Sequence, residues 1–429
     1  MKRWGLVLGL ALVCLMLVTA GASADKKYAG KTITLLASQP HAIGCKNLAT
    51  WFEQETGCKV STMVVPMDQM TEKVVLDVQS GANILDNFMY WYAALGTLVE
   101  NGAAADVTDW WNAKAAALKF DDVVPEIRDA YTLINGKRYG FPYDGDMHLL
   151  WYLKPVFQKY KLTPPKTWDE YLADEKLITA GEKGKMYGAV IMGAKAPMVI
   201  IGAYLDRLGS FGGSFLDENG RPSINSPEAV AALAHYVEEC KYALPTPSAT
   251  NFDEEVGGWI TGKAAMTEFW TDLGTISSDP KSSTIVGQYD CAPLPRGPGA
   301  KGRVIAPLNA GFGIAVSAKS QHKEIAMALL EFMARADVAI RYNCVIGGID
   351  PVRMSTVNSP EYLKFSGKHL VDAIKEAHQH NIQWPTSALW FKMQEPLTDN
   401  LSLALTGGKT PKQALDDTQK AWLDIMGMK

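Results

Sequence analysis

Beyond residue 18 the chain has no apolar run that approaches the roughly 20 residues a membrane-crossing helix needs. A helical integral membrane protein is therefore excluded, and no stable membrane insertion is expected. Cysteine is scarce, six in 429 residues, and no pair has the close spacing of a structural zinc knuckle. Positive charge is not in excess either: 42 Lys and Arg stand against 46 Asp and Glu, scattered without a basic tract, so a nucleic-acid partner is not expected. Neither the dinucleotide glycine fingerprint nor the phosphate-cradling loop stands between a strand and a helix. His378 and His380 do not complete a ligand set, and residues 217–220 (DENG) lack the ligand sequence of a calcium loop. No cofactor and no metal is expected.

What is present begins at the amino terminus. Lys2 and Arg3 precede an apolar run over residues 6–18, and Ala22-Ser23-Ala24 follows it. Charge, short apolar core and small-residue cleavage site in that order predict a secretory signal over residues 1–24. Cys14 lies inside the apolar run without the small residues that precede a lipidation site, so a periplasmic or otherwise extracytoplasmic soluble chain is expected. Removing 24 of the 429 residues leaves 405 and takes the formal charge to −6. Since single cores seldom grow past roughly 250–300 residues, two or more are expected. The five remaining cysteines are odd in number. Cys45 and Cys58 flank a predicted helix too long for a disulfide to close, and a Cys240–Cys291 bridge is possible without being required.

Periodicity alternates between strand and helix. Residues 33–37 (ITLLA) and 59–65 (KVSTMVV) read as strands. Leu48, Trp51, Phe52 and Glu55 fall on one helix, and Val74, Val75 and Val78 on another. Ser226-Pro227 starts a helix carrying Val230, Leu233 and Val237. Thr410 through Gln413 has the form of a capping box before the Leu415, Thr418, Trp422, Ile425 stripe, which should dock as a terminal helix. Asn135-Gly136 marks a hairpin turn, and residues 293–302 a Pro- and Gly-rich connection. This is an α/β pattern, expected to hold largely parallel strands.

Several segments carry a resemblance, in order along nearly the whole mature chain: residues 51–60 (WFEQETGCKV), 135–146 (NGKRYGFPYDGD), 165–170 (PKTWDE), 262–270 (GKAAMTEFW), 311–316 (GFGIAV), 347–353 (GGIDPVR) and 408–415 (GKTPKQAL). The sequence resembles the extracellular solute-binding proteins of sugar-import ABC systems, the maltodextrin-binding proteins among them. The resemblance implies a periplasmic-binding-protein-like fold, with two α/β lobes, a central ligand cleft and three interlobe crossings. The first lobe is expected over 25–142 and 308–350, the second over 143–307 and 351–429. It further implies a monomer that captures a mono- or oligosaccharide by closing and delivers it to ABC permease subunits. A linear polyol is the alternative ligand, and a glycoside hydrolase the alternative activity.

Sugar recognition needs aromatic faces for C–H surfaces and directed polar groups for hydroxyls. Trp91, Tyr143, Trp270 and Trp384 are the aromatic candidates. Trp270 ends the segment expected to approach the cleft, and Trp91 is expected on a loop after a strand. Each ring has packing as its simpler role. Asp144 and Asp146, two apart, point to one side of an extended backbone and suit hydroxyl donors. Their alternative is a network with backbone amides or a basic side chain. Gln39 and His41 after the first strand, Asp272 beside Trp270, and Arg353 complete the set. For Arg353 the alternatives are a structural ion pair or an anion partner.

Overall fold

The computed structural model describes residues 26–299, 302–345 and 349–429. The predicted signal, residues 1–24, and Gly347 and Gly348 lie outside the described residues. Nine strands build two larger sheets: β1 (Thr32–Ser38), β2 (Lys59–Val65), β3 (Asn87–Trp91), β4 (Phe141–Asp144), β5 (His148–Leu153), β6 (Tyr187–Ala189), β7 (Ala264–Trp270), β8 (Tyr289–Ala292) and β9 (Phe312–Val316). The first sheet has the order β2-β1-β3-β9-β4 and the second β8-β5-β7-β6.

Local sequence explains the elements. In β1 the last four residues are all buried, the continuous apolar pattern of a strand covered on both faces. The helix Ala42–Thr56 buries Cys45, Leu48, Ala49 and Phe52. It stops at Gly57, whose left-handed φ of 80° lets its N–H return to the Glu53 carbonyl before β2 begins. Asn135 and Gly136 take φ of 50° and 76° between two short antiparallel strands, the geometry a two-residue hairpin turn requires. Ser226 caps the helix Pro227–Glu239 through the Ala229 amide, and Thr410 and Gln413 form the reciprocal capping box of the helix Pro411–Ile425. Trp422 on that last helix is fully buried and donates to the Met393 carbonyl at 2.7 Å.

Strand direction departs from the sequence expectation. β1 runs parallel to β2 and β3, but β9 is antiparallel to β3 and β4, and β5 is antiparallel to β7 and β8. A short buried apolar run reads the same in either direction, so periodicity identifies the strand and not its sense. The described cysteines are all free thiols. Among the described residues no helix is long and apolar enough to cross a membrane.

The four-stranded sheet is built over a buried ionic cluster. Arg207 donates to Glu239 and, at 3.0 Å, to Glu268, and its guanidinium lies 4.4 Å from the Trp168 ring centre. All four side chains are buried, so removing the cation would leave uncompensated carboxylates in the core.

Candidate ligand-binding site

Three strand ends meet on one edge of the first sheet. Phe312, at the start of β9, pairs with Trp91 at the end of β3 and with Asp144 at the end of β4. β1 ends nearby at Ser38, so its following turn presents Gln39 and His41. Only three residues separate Asp144 from His148, the first residue of β5, and His148 pairs with Trp270 at the end of β7. The topology thus brings the carboxyl ends of β1, β3 and β4 against the end of β7, the location where open α/β sheets hold ligands.

A carboxylate network occupies this junction. His41 is buried between the Ser38 hydroxyl, 2.6 Å from Nδ1, and Asp144, 2.7 Å from Nε2. The second Asp144 oxygen accepts the Asp350 amide at 2.7 Å. Asp350 also accepts from the Thr271 hydroxyl and is hydrogen-bonded to Asp146, an arrangement of two carboxyls sharing a proton. Burial, reinforced by the charges of Asp144 and Asp350, holds the Asp146 carboxyl well above the usual carboxylate range. The same physics raises Asp350 to about 6, through burial and then Asp144. Asp272 is raised to about 7, through burial and then Asp350 and Asp144. Like charges gathered in a largely buried site cannot all ionise.

Asp144, Asp146 and Asp350 bring carboxylate oxygens within 4.8 Å of one another. They fit a metal ion poorly, because His41 and the Asp350 amide already use both Asp144 oxygens and Thr271 uses one of Asp350. A divalent ion would compete with each of those bonds. A cavity of about 870 Å³ adjoins the cluster, with Thr271, Asp272, Ile349 and Asp350 in its wall beside Trp151 and Tyr362. Its volume is that of a small-molecule site.

Around the junction several buried polar atoms have no partner: Trp91 Nε1, Trp270 Nε1, His148 Nε2, the Tyr131 hydroxyl and Asp272 Oδ1. The first four belong to one contact chain. Tyr131 stacks on Tyr92 at 4.3 Å, and the Tyr92 hydroxyl accepts the Trp384 amide at 2.8 Å. The Trp384 indole faces Trp91 at 5.1 Å and donates to Asn309 at 3.3 Å. Asn309 reaches Asp206 and His148, and the His148 ring lies 4.2 Å from Trp270. His148 Nδ1 lies 2.9 Å from Asp206 and 3.0 Å from the Asn309 amide nitrogen, which leaves Nε2 as its unpartnered ring atom.

A family model for bacterial extracellular solute-binding proteins matches residues 25–340. The chain belongs to that family. A ribitol-complexed ABC transporter solute-binding protein from Agrobacterium radiobacter is 26% identical, with a TM-score of 0.80 over 93% of this chain and 100% of that one. The maltose-bound MalE3 of T. maritima is 25% identical, with a TM-score of 0.79 over 92% and 99%. A probable amino-acid ABC transporter periplasmic-binding protein of Sinorhizobium fredii is 25% identical over 96% of this chain and 93% of its own length. This solute-binding protein shares the two-lobed α/β fold of its structural neighbours.

The ten residues singled out from sequence divide into three groups: six at the junction, one exposed on a turn and three enclosed in packing. His41, Trp91, Asp144, Asp146, Trp270 and Asp272 meet at the junction. Trp270 is 6% exposed with its indole N–H unused. Asp144 takes the alternative part, holding a basic side chain and a backbone amide. Trp91 is not on a loop: it is the last residue of β3, kept there by its pairing with Phe312. Gln39 is exposed on the turn after β1.

In the remaining three the structure shows the alternative role, packing or a structural ion pair. Arg353 is fully buried, and its guanidinium donates to the carbonyls of Leu118, Lys119 and Ala334 and pairs with Asp122 at 3.3 Å. It fastens the chain after Pro351 to residues 118–122 and 334, and its donors are engaged there. Tyr143 is fully buried, its ring 5.3 Å from Tyr342 and its hydroxyl 3.9 Å from Cys45, which gives it a packing role. Trp384 is likewise enclosed, with its N–H taken by Asn309. Sequence reasoning missed Tyr131, His148, Asn309, Thr271 and Asp350. Asp350 stood in the family-like segment beside Arg353, where the cation drew attention away from it. The other four had no signal in spacing.

Proposed function

We propose that this protein is a sugar receptor of an ABC import system, binding a hydroxyl-rich ligand where the two sheets' strand ends meet and releasing it unchanged to a permease. The observation that supports the reading is the mixed set of unpartnered buried groups. Trp91 and Trp270 offer N–H donors, Asp272 offers an acceptor, His148 a free ring nitrogen, and Tyr131 offers both a donor and an acceptor. Buried polar atoms are almost always satisfied, so such a set suits a ligand with many hydroxyls, each a donor and an acceptor. Trp91 and Trp270 add apolar faces for the ligand's C–H surface.

Ribitol and maltose in the two structural neighbours agree with this class. The name of the Sinorhizobium relative suggests an amino acid, but the junction gathers four carboxyls, Arg353 is spent elsewhere, and among the described residues no Lys or Arg pairs with Asp146, Asp272 or Asp350. A glycosidase needs two carboxyls about 5–9.5 Å apart across the bond. Asp144, Asp146 and Asp350 hold oxygens within 4.8 Å of one another and are engaged with one another, which supports binding over hydrolysis.

The lobes in this reading are 26–144 with 308–350, and 145–307 with 351–429. The first boundary moves two residues past the sequence expectation because Tyr143 and Asp144 remain on β4. Ligand contacts from both lobes favour the closed population. Solution scattering of the exported monomer with a bound sugar should show a smaller radius of gyration than without it, and chromatography should recover the sugar intact. Turnover of the sugar by the purified protein would overturn the reading.

A further inference from the structure

The carboxyl cluster is not matched to a wholly neutral ligand. Asp144 ends β4, Asp146 lies in the connection between the sheets, Asp350 in the segment before Pro351, and Asp272 in the turn after β7. Of these four, Asp144 alone has a basic partner, His41. No Lys or Arg pairs with Asp146, Asp272 or Asp350 among the described residues; besides one another and Asp144, their titratable neighbours are His41, which acts on Asp350, and the phenols Tyr131 and Tyr362. A second observation lies beside the acids. The Tyr131 hydroxyl is fully buried, has no partner and lies in the field of Asp146, Asp144 and Asp350. Trp270, two residues before Asp272, also keeps an unused N–H.

We propose, on the basis of the sugar-receptor reading, that the preferred ligand carries a protonated amine, as an amino sugar or amino polyol does, and that Asp146, Asp350 and Asp272 receive it. An ammonium group has three donors and a full charge. It can use the free oxygens of these carboxyls without displacing His41 or the Asp350 amide from Asp144, which a metal ion would do. The Tyr131 hydroxyl accepts from the amine or a neighbouring hydroxyl. Nearby rings favour a cation further, since ammonium groups are attracted to aromatic faces. In the free protein the carboxyls hold protons in place of that charge, and an arriving ammonium drives those protons off.

Calorimetry with matched pairs tests this: D-glucosamine against D-glucose, D-galactosamine against D-galactose, and 1-amino-1-deoxysorbitol against sorbitol. At pH 7 at least one amine should bind about tenfold or more tightly than its parent, and its binding heat should change with the buffer's ionisation enthalpy as protons are released. Asp272→Asn and Asp146→Asn, checked for a wild-type-like melting curve, should each reduce that preference. If one does not fold, the other carries the test. Neutral parents binding as well as their amines would overturn the proposal while leaving the sugar receptor standing. No amine binding at about 10 mM would also overturn it. Binding of amino acids or peptides alone would remove both readings.

Discussion

Asp272→Asn should stabilise the ligand-free protein, and by an amount that depends on pH. The carboxyl is raised from an ordinary 3.8 to about 7, by burial first and then by Asp350 and Asp144. Its Oδ1 has no partner, and it makes no side-chain cap to the helix Leu273–Ser277, so the amide loses little. A group whose folded value is raised keeps its proton while the unfolded chain releases it. Between pH 4 and 7 its contribution to wild-type stability therefore falls as pH rises, and it levels off above 7. A shift of about 3 units at 1.36 kcal/mol each sets an upper limit of about 4 kcal/mol. With an unfolding entropy of roughly 2 cal/mol/K per residue, that is about 5 °C for a chain of this length melting as one unit. Scanning calorimetry at steps from pH 4 to 8 should show the variant's advantage grow from near zero to a plateau of several degrees. An advantage constant across pH, or a loss at pH 8, would refute the buried-carboxyl reasoning.

Other substitutions separate site from scaffold. Trp270→Ala should weaken sugar binding in calorimetry on folded material, whereas Trp422→Ala should cost about 3–5 kcal/mol of stability and leave the affinity of the folded fraction nearly unchanged. Equal affinity losses would contradict the division. Arg207→Met should destabilise by about 3–5 kcal/mol in urea titrations at pH 7, because Glu239 and Glu268 would lose their buried cation. A neutral effect would show that water reaches the cluster. Thr410→Ala should cost about 1 kcal/mol through the lost cap of the last helix, and no change in the urea midpoint would contradict it.

Much of the scaffold was legible in the sequence because its signals are local. The strand over 59–65, the Ser226 and Thr410 caps and the Asn135-Gly136 turn each depend on residues a few positions apart. Strand direction was not legible, since buried runs lack polarity. At the site, the Asp144–Asp146 alternation and the position of Trp270 could be read, but partners could not. Arg353 looks like a free cation until carbonyls from residues 118, 119 and 334 are brought to it by the fold. His148 acquires its meaning from Asp206 and Asn309, which are 58 and 161 residues away in sequence. Long-range pairing of this kind leaves no periodic trace.

The central claim is capture of a hydroxyl-rich ligand between the lobes, and the direct measurement is titration calorimetry on the chain from residue 25 to 429. The panel should hold sugars, amino sugars, polyols, amino acids, peptides and organic acids. Saturable one-to-one binding confined to the hydroxyl-rich members is the predicted result, and tight binding only to an organic acid, an amino acid or a peptide would contradict it.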